Sequence, residues 1–377
     1  MRCLHLTLAL SLLWAVPCLA QAPAPIPEAA LHWSFDVDTE GWQSTDPKGS
    51  VTVTQDAAIC RANGGGALQL AYTPGEAQFT AVMTPTEAGL GNGKSLHFWV
   101  RTSDYAVMLL FAGERDDSHY AVGFTSLPNT WQEVSLGLDD LQLGDDSQDE
   151  NDRLDPDQIT GVALADATGM LVKLAEAMPF IQAPDLGPRK LWLDDFSVTS
   201  TPTDPRWQET PLGGKPAILL DSFERSPLQW LMLCGKGADV TYDKEHKTAG
   251  DYSLRLQYAL PEGKVFGAIT PLGGVPLKGA QVLRLAAMSE NPMTLFIELK
   301  EADDSKYQAT APLEAGGQLK TVELPLIGFK LADDSKDENG QLDADQLKEL
   351  TLADLSVLTG AATAKNTLWL DEVGFLK

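Results

Sequence analysis

The residues best suited to chemistry in this chain are oxygen-bearing side chains that occur twice, in the same order. Asp145, Ser147, Asp149, Asn151 and Asp155 form the first set, and Asp333, Ser335, Asp337, Asn339 and Asp343 form the second. Alternating Asp, Ser and Asn can converge several oxygens on one point, which is what a hard cation such as Ca2+ requires. Asp145, Asp149 and Asn151 in one copy, and Asp333, Asp337 and Asn339 in the other, are therefore candidate metal ligands. The loops are not EF-hands. Counted from Ser335, Gly340 falls on the sixth place, but the twelfth holds Gln346 rather than Glu, and the first copy has Asp152 where the Gly would stand. The end of each loop has a structural reading as well. Asp155-Pro156-Asp157-Gln158 and Asp343-Ala344-Asp345-Gln346 fit a helix N-cap with Gln at the third helical position.

A second constellation suits sugar recognition. In residues 95–101, Leu96, Phe98 and Val100 alternate with His97, Trp99 and Arg101. An aromatic plane beside hydrogen-bonding side chains can hold the apolar face of a sugar ring while meeting its hydroxyls. His97, Trp99 and Arg101 are the leading ligand-binding candidates, with Tyr120 and Tyr307 behind them. The second half has Ala286 in place of Trp99, so the fold does not need that ring. The competing reading is that Trp99 packs under a loop.

Catalytic patterns are sparse. Beyond His5 in the N-terminal leader, the histidines are His32, His97, His119 and His246, with no His-x-x-x-His pairing. Gly-x-Ser-x-Gly is absent, and Gly64-Gly65-Gly66 precedes a strand pattern rather than a helix. With 53 acidic residues, paired carboxylates alone do not argue for a hydrolase. No catalytic residue is assigned, and the expectation is a non-enzymatic protein.

These residues are carried on a duplicated framework. Phe35 precedes Trp42 by the same interval as Phe223 precedes Trp230, and both pairs are expected to pack inward. Alternating apolar runs at residues 67–72, 95–101, 107–111, 131–136, 159–164 and 191–196 recur in the second half, separated by Gly, Pro and Asp turns. The pattern is all-β: two tandem jelly-roll β-sandwiches, with residues 29–200 as the first and 217–377 as the second. Residues 201–216, carrying Pro202, Pro205, Pro211 and Pro216, read as a short linker. The first half alone has extra residues around Met170 to Pro188, where Leu171 to Ala177 suggest a short helical turn.

Residues 1–20 read as a signal peptide. Arg2 is followed by an apolar run too short to span a bilayer and by Cys18-Leu19-Ala20 as cleavage pattern. Pro17 before Cys18 ranks a lipoprotein reading second. Residues 21–28 then form a Pro/Ala-rich tether, and the expected location is secreted or periplasmic. The formal net charge of −25 argues against nucleic acid and anionic membranes as partners, and no later segment is long enough for a membrane-spanning helix. Cys60 and Cys234, the cysteines after the leader, lie at non-equivalent places and do not form a disulfide scaffold.

The order of these motifs resembles the galactose-binding-domain-like jelly rolls. Phe35-Asp36 with Gly41-Trp42, Trp131-x-x-Val134-x-Leu136, the acidic loop closing on Leu154-Asp155 and the final Leu193-Asp194-Asp195 carry the likeness. Within that group the chain looks most like family-eleven carbohydrate-binding modules and complex I intermediate-associated protein type domains. Gln229 before Trp230, and Leu319 in place of Trp131, make the second copy the more divergent. The resemblance implies a structural Ca2+ between an acid of the first strand and one of the last. The matching pairs are Asp36 with Asp194 or Asp195, and Glu224 with Asp371 or Glu372. It also implies a glycan or cell-surface polymer as ligand, bound by two linked modules. The alternative is an envelope structural or assembly protein that uses the fold for protein contacts.

Overall fold

The computed structural model describes residues 29–377 except 47, 62–64, 76–78, 87–88, 145–146, 150, 152, 225–227, 234–237, 262 and 357–364. The leader, the tether, Asp145 and Cys234 therefore lie outside the described residues. Two β-sandwiches follow one another, each made of two antiparallel sheets.

In the first module, one sheet runs in the order Ser50–Thr54, Ala67–Tyr72, Arg189–Thr199, Ser95–Thr102 and Gln132–Gly137, with Ala29–Trp33 also pairing to Arg189–Thr199. The facing sheet runs Gln142–Leu143, His119–Ser126, Ala106–Glu114, Ile159–Asp166, Thr80–Pro85 and Gln43–Ser44. The second module repeats the layout. Its first sheet centres on Lys365–Leu376 between Ser253–Ala259 and Val282–Ser289. Its second runs Leu231–Leu233, Phe266–Pro271, Leu347–Asp354, Met293–Glu301, Lys306–Leu313 and Lys330–Leu331. Residues 201–216 do not hang free. Gln208–Glu209 adds a strand beside Ala217–Asp221, and Trp207 packs against the second core.

The cores are built by the alternating residues. Leu96, Phe98 and Val100 face inward, as do Met108, Leu110 and Ala112, and their counterparts Leu283, Leu285, Leu295 and Ile297 do the same. Phe35, Trp42, Phe223 and Trp230 are buried as expected. Trp42 lies edge-on to Trp33 and Phe35. Replacing a buried Trp with Ala typically costs about 3–5 kcal/mol through lost burial and a cavity. Phe35 and Phe223 both sit at positive φ, 55° and 58°, an uncommon backbone state for a bulky residue. A carboxylate holds each in place: the Phe35 N–H donates to Glu40 at 2.8 Å, and the Phe223 N–H donates to Asp221 at 2.7 Å.

The extra segment of the first module forms the helix Met170–Ala177, one residue longer at its start than the sequence suggested. The expected helical turn after the acidic loop is reduced to a 3-10 turn, Ala344–Gln346, in the second module and a plain turn in the first. In neither does the Asp side chain cap it. Asp155 Oδ2 instead accepts the side-chain amides of Asn151 and Gln158, and Asp343 Oδ2 accepts that of Asn339. Loop cross-linking competes with capping for the same oxygen, and the loop wins.

Candidate functional site

The strand Ser95–Thr102 places His97, Trp99 and Arg101 together on the outward face of the first sheet, as the alternation requires. Their surroundings differ from a bare sugar platform. The Arg61 guanidinium lies 3.9 Å from the centroid of the half-buried Trp99 ring, and Arg61 Nη1 donates to Asp195 at 2.5 Å. A guanidinium over an indole is a cation–π contact stabilising by about 0.5–2 kcal/mol. A sugar would reach that face of Trp99 only by displacing Arg61. Arg101 and Lys190 lie 5.5 and 6.0 Å from the centroid of Trp192, which is only 4% exposed. His97 is held at both nitrogens, by Ser95 Oγ at 2.9 Å and Ser135 Oγ at 3.0 Å. Burial lowers its pKa, so the ring is neutral at pH 7.

Tyr120 and Tyr307 are buried, and their hydroxyls belong to the acidic loops. Tyr120 donates to Asp149 Oδ2 at 2.6 Å, and Tyr307 donates to Asp337 Oδ2. Burial, and then the Asp337 carboxylate that its hydroxyl meets, raise the Tyr307 pKa. These rings position the loop and present no open face to a ligand.

Each acidic loop folds against a neighbouring hairpin by the same bonds. The His119 and Lys306 N–H groups donate to Ser147 Oγ and Ser335 Oγ, both at 2.9 Å. The Asp155 and Asp343 N–H groups donate to Glu114 and Glu301. The Arg153 and Gln341 N–H groups donate to Asp149 and Asp337 at 2.9 and 3.0 Å. Hence Glu114, Asp116 and Asp149 offer carboxylate oxygens within 4.8 Å of one another. Glu114 and Asp116, which the loop sequence does not contain, come from the hairpin. In the second module Glu301, Asp303, Asp337, Asn339 and Asp343 line one open cleft of about 650 Å³. The donor chemistry, carboxylates with one amide oxygen, suits a hard cation.

The chain-end acids are arranged otherwise. In the first module Asp195 binds Arg61 and lies 3.4 Å from His32, while Asp194 Oδ1 accepts the Asp195 N–H. Burial, with Asp195 and Asp36 close by, raises Asp194 to about 7. In the second module Glu224 Oε1 accepts the N–H groups of Asp251 and Tyr252 at 2.8 and 2.7 Å. Asp371 Oδ2 accepts the Thr248 N–H and hydroxyl at 2.7 and 2.6 Å. In the first module the Arg61 guanidinium already neutralises Asp195, so a metal ion at Asp36, Asp194 and Asp195 would have to displace it. The second pair is met by N–H groups, so its donor set does not call for one.

One surface escapes sequence reasoning. Strand Ala106–Glu114 is apolar on both sides, so its period does not say which side faces out. Met108, Leu110 and Ala112 take the core, which leaves Leu109 and Phe111 outward on the second sheet. The strand register lines Phe111 up with Ala121 on one side and Ala163 and then Met83 on the other. Gly113, Gly123 and Gly161 share this face, and a Cβ at Gly113 would meet nothing within 4 Å. The half-buried Phe111 is thus flanked by small residues. Phe79, 46% exposed, meets it edge-on with ring centroids 5.7 Å apart. Phe79 also borders an open cleft of about 1240 Å³ that Thr45, Lys48, Ser103 and Lys190 help to line. In the second module the position of Phe111 is taken by Glu298, bonded to Gln308 at 2.8 Å, with Lys300 and Glu349 beside it. The duplication carries the signal: Phe111 stands where the copy has Glu298, so the fold does not require a Phe there.

Fold and surface together define a tandem β-sandwich protein with outward sheet faces of unlike character. No family model and no curated sequence matches the chain. Solved structures similar to it include carbohydrate-binding modules and agarases. The family 11 carbohydrate-binding module of cellulosomal cellulase Lic26A-Cel5E of Clostridium thermocellum is 17% identical, with 42% of this chain and 94% of that one covered and a TM-score of 0.34. The N-terminal CBM22-1-CBM22-2 tandem domain from Paenibacillus barcinonensis Xyn10C is 14% identical, with 94% and 99% covered and a TM-score of 0.33. The Clostridium thermocellum family 11 module in complex with a β-1,3-1,4-mixed-linked tetrasaccharide is 18% identical, with 42% and 94% covered and a TM-score of 0.33.

Proposed function

We propose that this is a non-catalytic binding protein that takes a polysaccharide chain on the outward face of the first module's second sheet. One observation carries the reading: Phe79 and Phe111 stand outward where Ala121, Ala163 and Gly113 leave room around the Phe111 ring, and the sister module has Glu298 at that place. An aromatic ring in a shallow trough of small residues suits the apolar face of a sugar. Thr45, Lys48 and Ser103 along the adjoining cleft supply hydrogen-bonding partners for its hydroxyls. The Trp99 face is a second location for the same function, reached by moving Arg61 aside.

Affinity electrophoresis of the mature chain through gels containing soluble polysaccharides tests this. Wild type is retarded by at least one polymer, Phe111→Ala loses retardation and Trp99→Ala keeps it. Loss in Trp99→Ala alone would move the site to the first sheet. No retardation of wild type by any polymer would reject the reading.

Ca2+ at the acidic loops, and in the first module at Asp36, Asp194 and Asp195, belongs to the same proposal as a structural cation. So does export: the chain would be recovered outside the cytoplasm beginning at Gln21, which N-terminal sequencing checks. A protein-contact role is supported by one observation, the exposed apolar side chains Met170, Met178 and Phe180, at 40%, 38% and 43% exposure. Co-purification that depends on those side chains, with no polysaccharide binding, would favour it.

A further inference from the structure

The segment 167–188 of the first module is eleven residues longer than its counterpart in the second, which spans only 355–365. It crosses to the second module. Leu171 and Ile181 are buried against Leu233, with Leu174, Ala175, Leu231, Ile269 and Val107 packed around them. The strand registers show what this segment covers. Leu231 pairs with Ile269, and Leu233 with Gly267, at the edge of the second module's second sheet. The same edge in the first module carries Gln43, paired with Met83, and Thr45, whose N–H donates to Ala81. The edge strand is therefore polar where it stays open and leucine where the segment lies on it. Covering these leucines takes their apolar surface out of water and so stabilises the junction.

Polar contacts fix the same junction. The Val265 N–H donates to Phe180 O at 2.8 Å, and Lys264 Nζ donates to Pro179 O and Ile181 O at 2.7 and 3.0 Å. The Tyr105 hydroxyl donates to Met232 O at 3.1 Å and accepts its N–H at 3.0 Å. Thr125 donates its N–H to Leu228 O and its hydroxyl to Trp230 O. Leu127 of the first module is buried within the second module's core. Arg189 roots this apparatus. Its Nη2 donates to Asp185 O at 2.6 Å and its Nη1 to Tyr105 O and Asp166, at 3.3 and 3.2 Å. The second module, whose counterpart is eleven residues shorter, carries Asn366 where the first has Arg189, each pairing with the buried Tyr of its neighbouring strand.

We infer that the segment 167–188 is a clamp. It occupies the part of the second module's outward face that stays open in the first, and it locks the two sandwiches into one body. A polymer bound on the Phe111 face then meets two modules held as one body in place of two that swing independently; this last step rests on the binding reading above.

Amide hydrogen exchange and small-angle X-ray scattering on the full mature chain test it without a ligand. Ile181→Asp puts a charge into the apolar junction. Exchange at Met232 and Val265 becomes at least about tenfold faster and the radius of gyration grows, while core amides of both modules keep their protection. Arg189→Asn copies what the second module tolerates, so it keeps the fold, and it moves the same amides in the same direction. Unchanged exchange and scattering in both variants, or wild-type scattering that requires freely reorienting modules, would overturn the clamp. Wild type failing to bind any polysaccharide would count against the binding reading alone, because the exchange result does not depend on it.

Discussion

The buried Tyr–Asp pairs give a stability prediction worked from within the molecule. Tyr258 donates to Asp354 Oδ2 at 2.7 Å, and Tyr72 donates to Asp166 Oδ2 at 2.6 Å. Both carboxylates are buried, Asp354 at 1% and Asp166 at 0% exposure. Each keeps one backbone N–H on Oδ1, from Ser356 at 2.8 Å and Thr168 at 2.7 Å. The difference lies at Oδ2, where Asp166 is also met by Arg189. Tyr258→Phe leaves the Asp354 oxygen without that donor, and losing a hydrogen bond to a buried charged group costs about 1.5–3 kcal/mol. Tyr72→Phe leaves the guanidinium in place, so its cost stays nearer 1 kcal/mol. Urea unfolding followed by tryptophan fluorescence measures both. At a slope of about 3 kcal/mol per molar, Tyr258→Phe lowers the midpoint by about 0.5–1 M, and Tyr72→Phe by roughly half as much or less. Equal losses, or a larger loss for Tyr72→Phe, would show that Arg189 does not share the load at Asp166.

Two further outcomes follow from named groups. If the second acidic loop binds Ca2+ in the range of extracellular modules, about 0.1–1 mM, then 5 mM Ca2+ stabilises the folded chain by about 1–2.3 kcal/mol. Scanning calorimetry then shows a melting point a few degrees higher than in EDTA; Asp337→Asn removes the shift, and equal melting points in wild type reject the cation. Asp221 is raised to about 6 because burial disfavours its charge, outweighing the N–H groups of Phe223 and Trp230 that donate to it. A carboxyl whose folded pKa lies above its unfolded value adds stability below the unfolded pKa and loses it as pH rises through the folded one. Between pH 4 and 7 this group therefore withdraws up to about 3 kcal/mol, and wild-type stability falls more steeply over that range than that of Asp221→Asn. Parallel urea midpoints for the two proteins would refute this.

Much of the architecture was legible because it rests on period and repetition. The duplication, the inward Leu96, Phe98 and Val100, the buried Phe and Trp pairs and the helix near Leu171 follow from alternation and spacing. What stayed hidden depends on contacts between distant segments. Arg61 reaches Trp99 from a loop whose own sequence gives no hint of it. Glu114 and Asp116 join Asp149 only when a hairpin folds against the loop, and Tyr120 looks like a surface ring until its hydroxyl is seen to tie that loop down. Strand Ala106–Glu114 is apolar from Ala106 to Gly113, so no periodicity separates its core side from Phe111. What marks that face is the difference between the copies, Phe111 against Glu298.

The direct test of the central claim is affinity electrophoresis of wild type and Phe111→Ala through the same polysaccharide gels. Wild type is retarded by at least one polymer, and because Phe111 faces out and its removal leaves the core intact, the Phe111→Ala protein is well folded and runs unretarded. A folded Phe111→Ala protein retarded as strongly as wild type would contradict that claim.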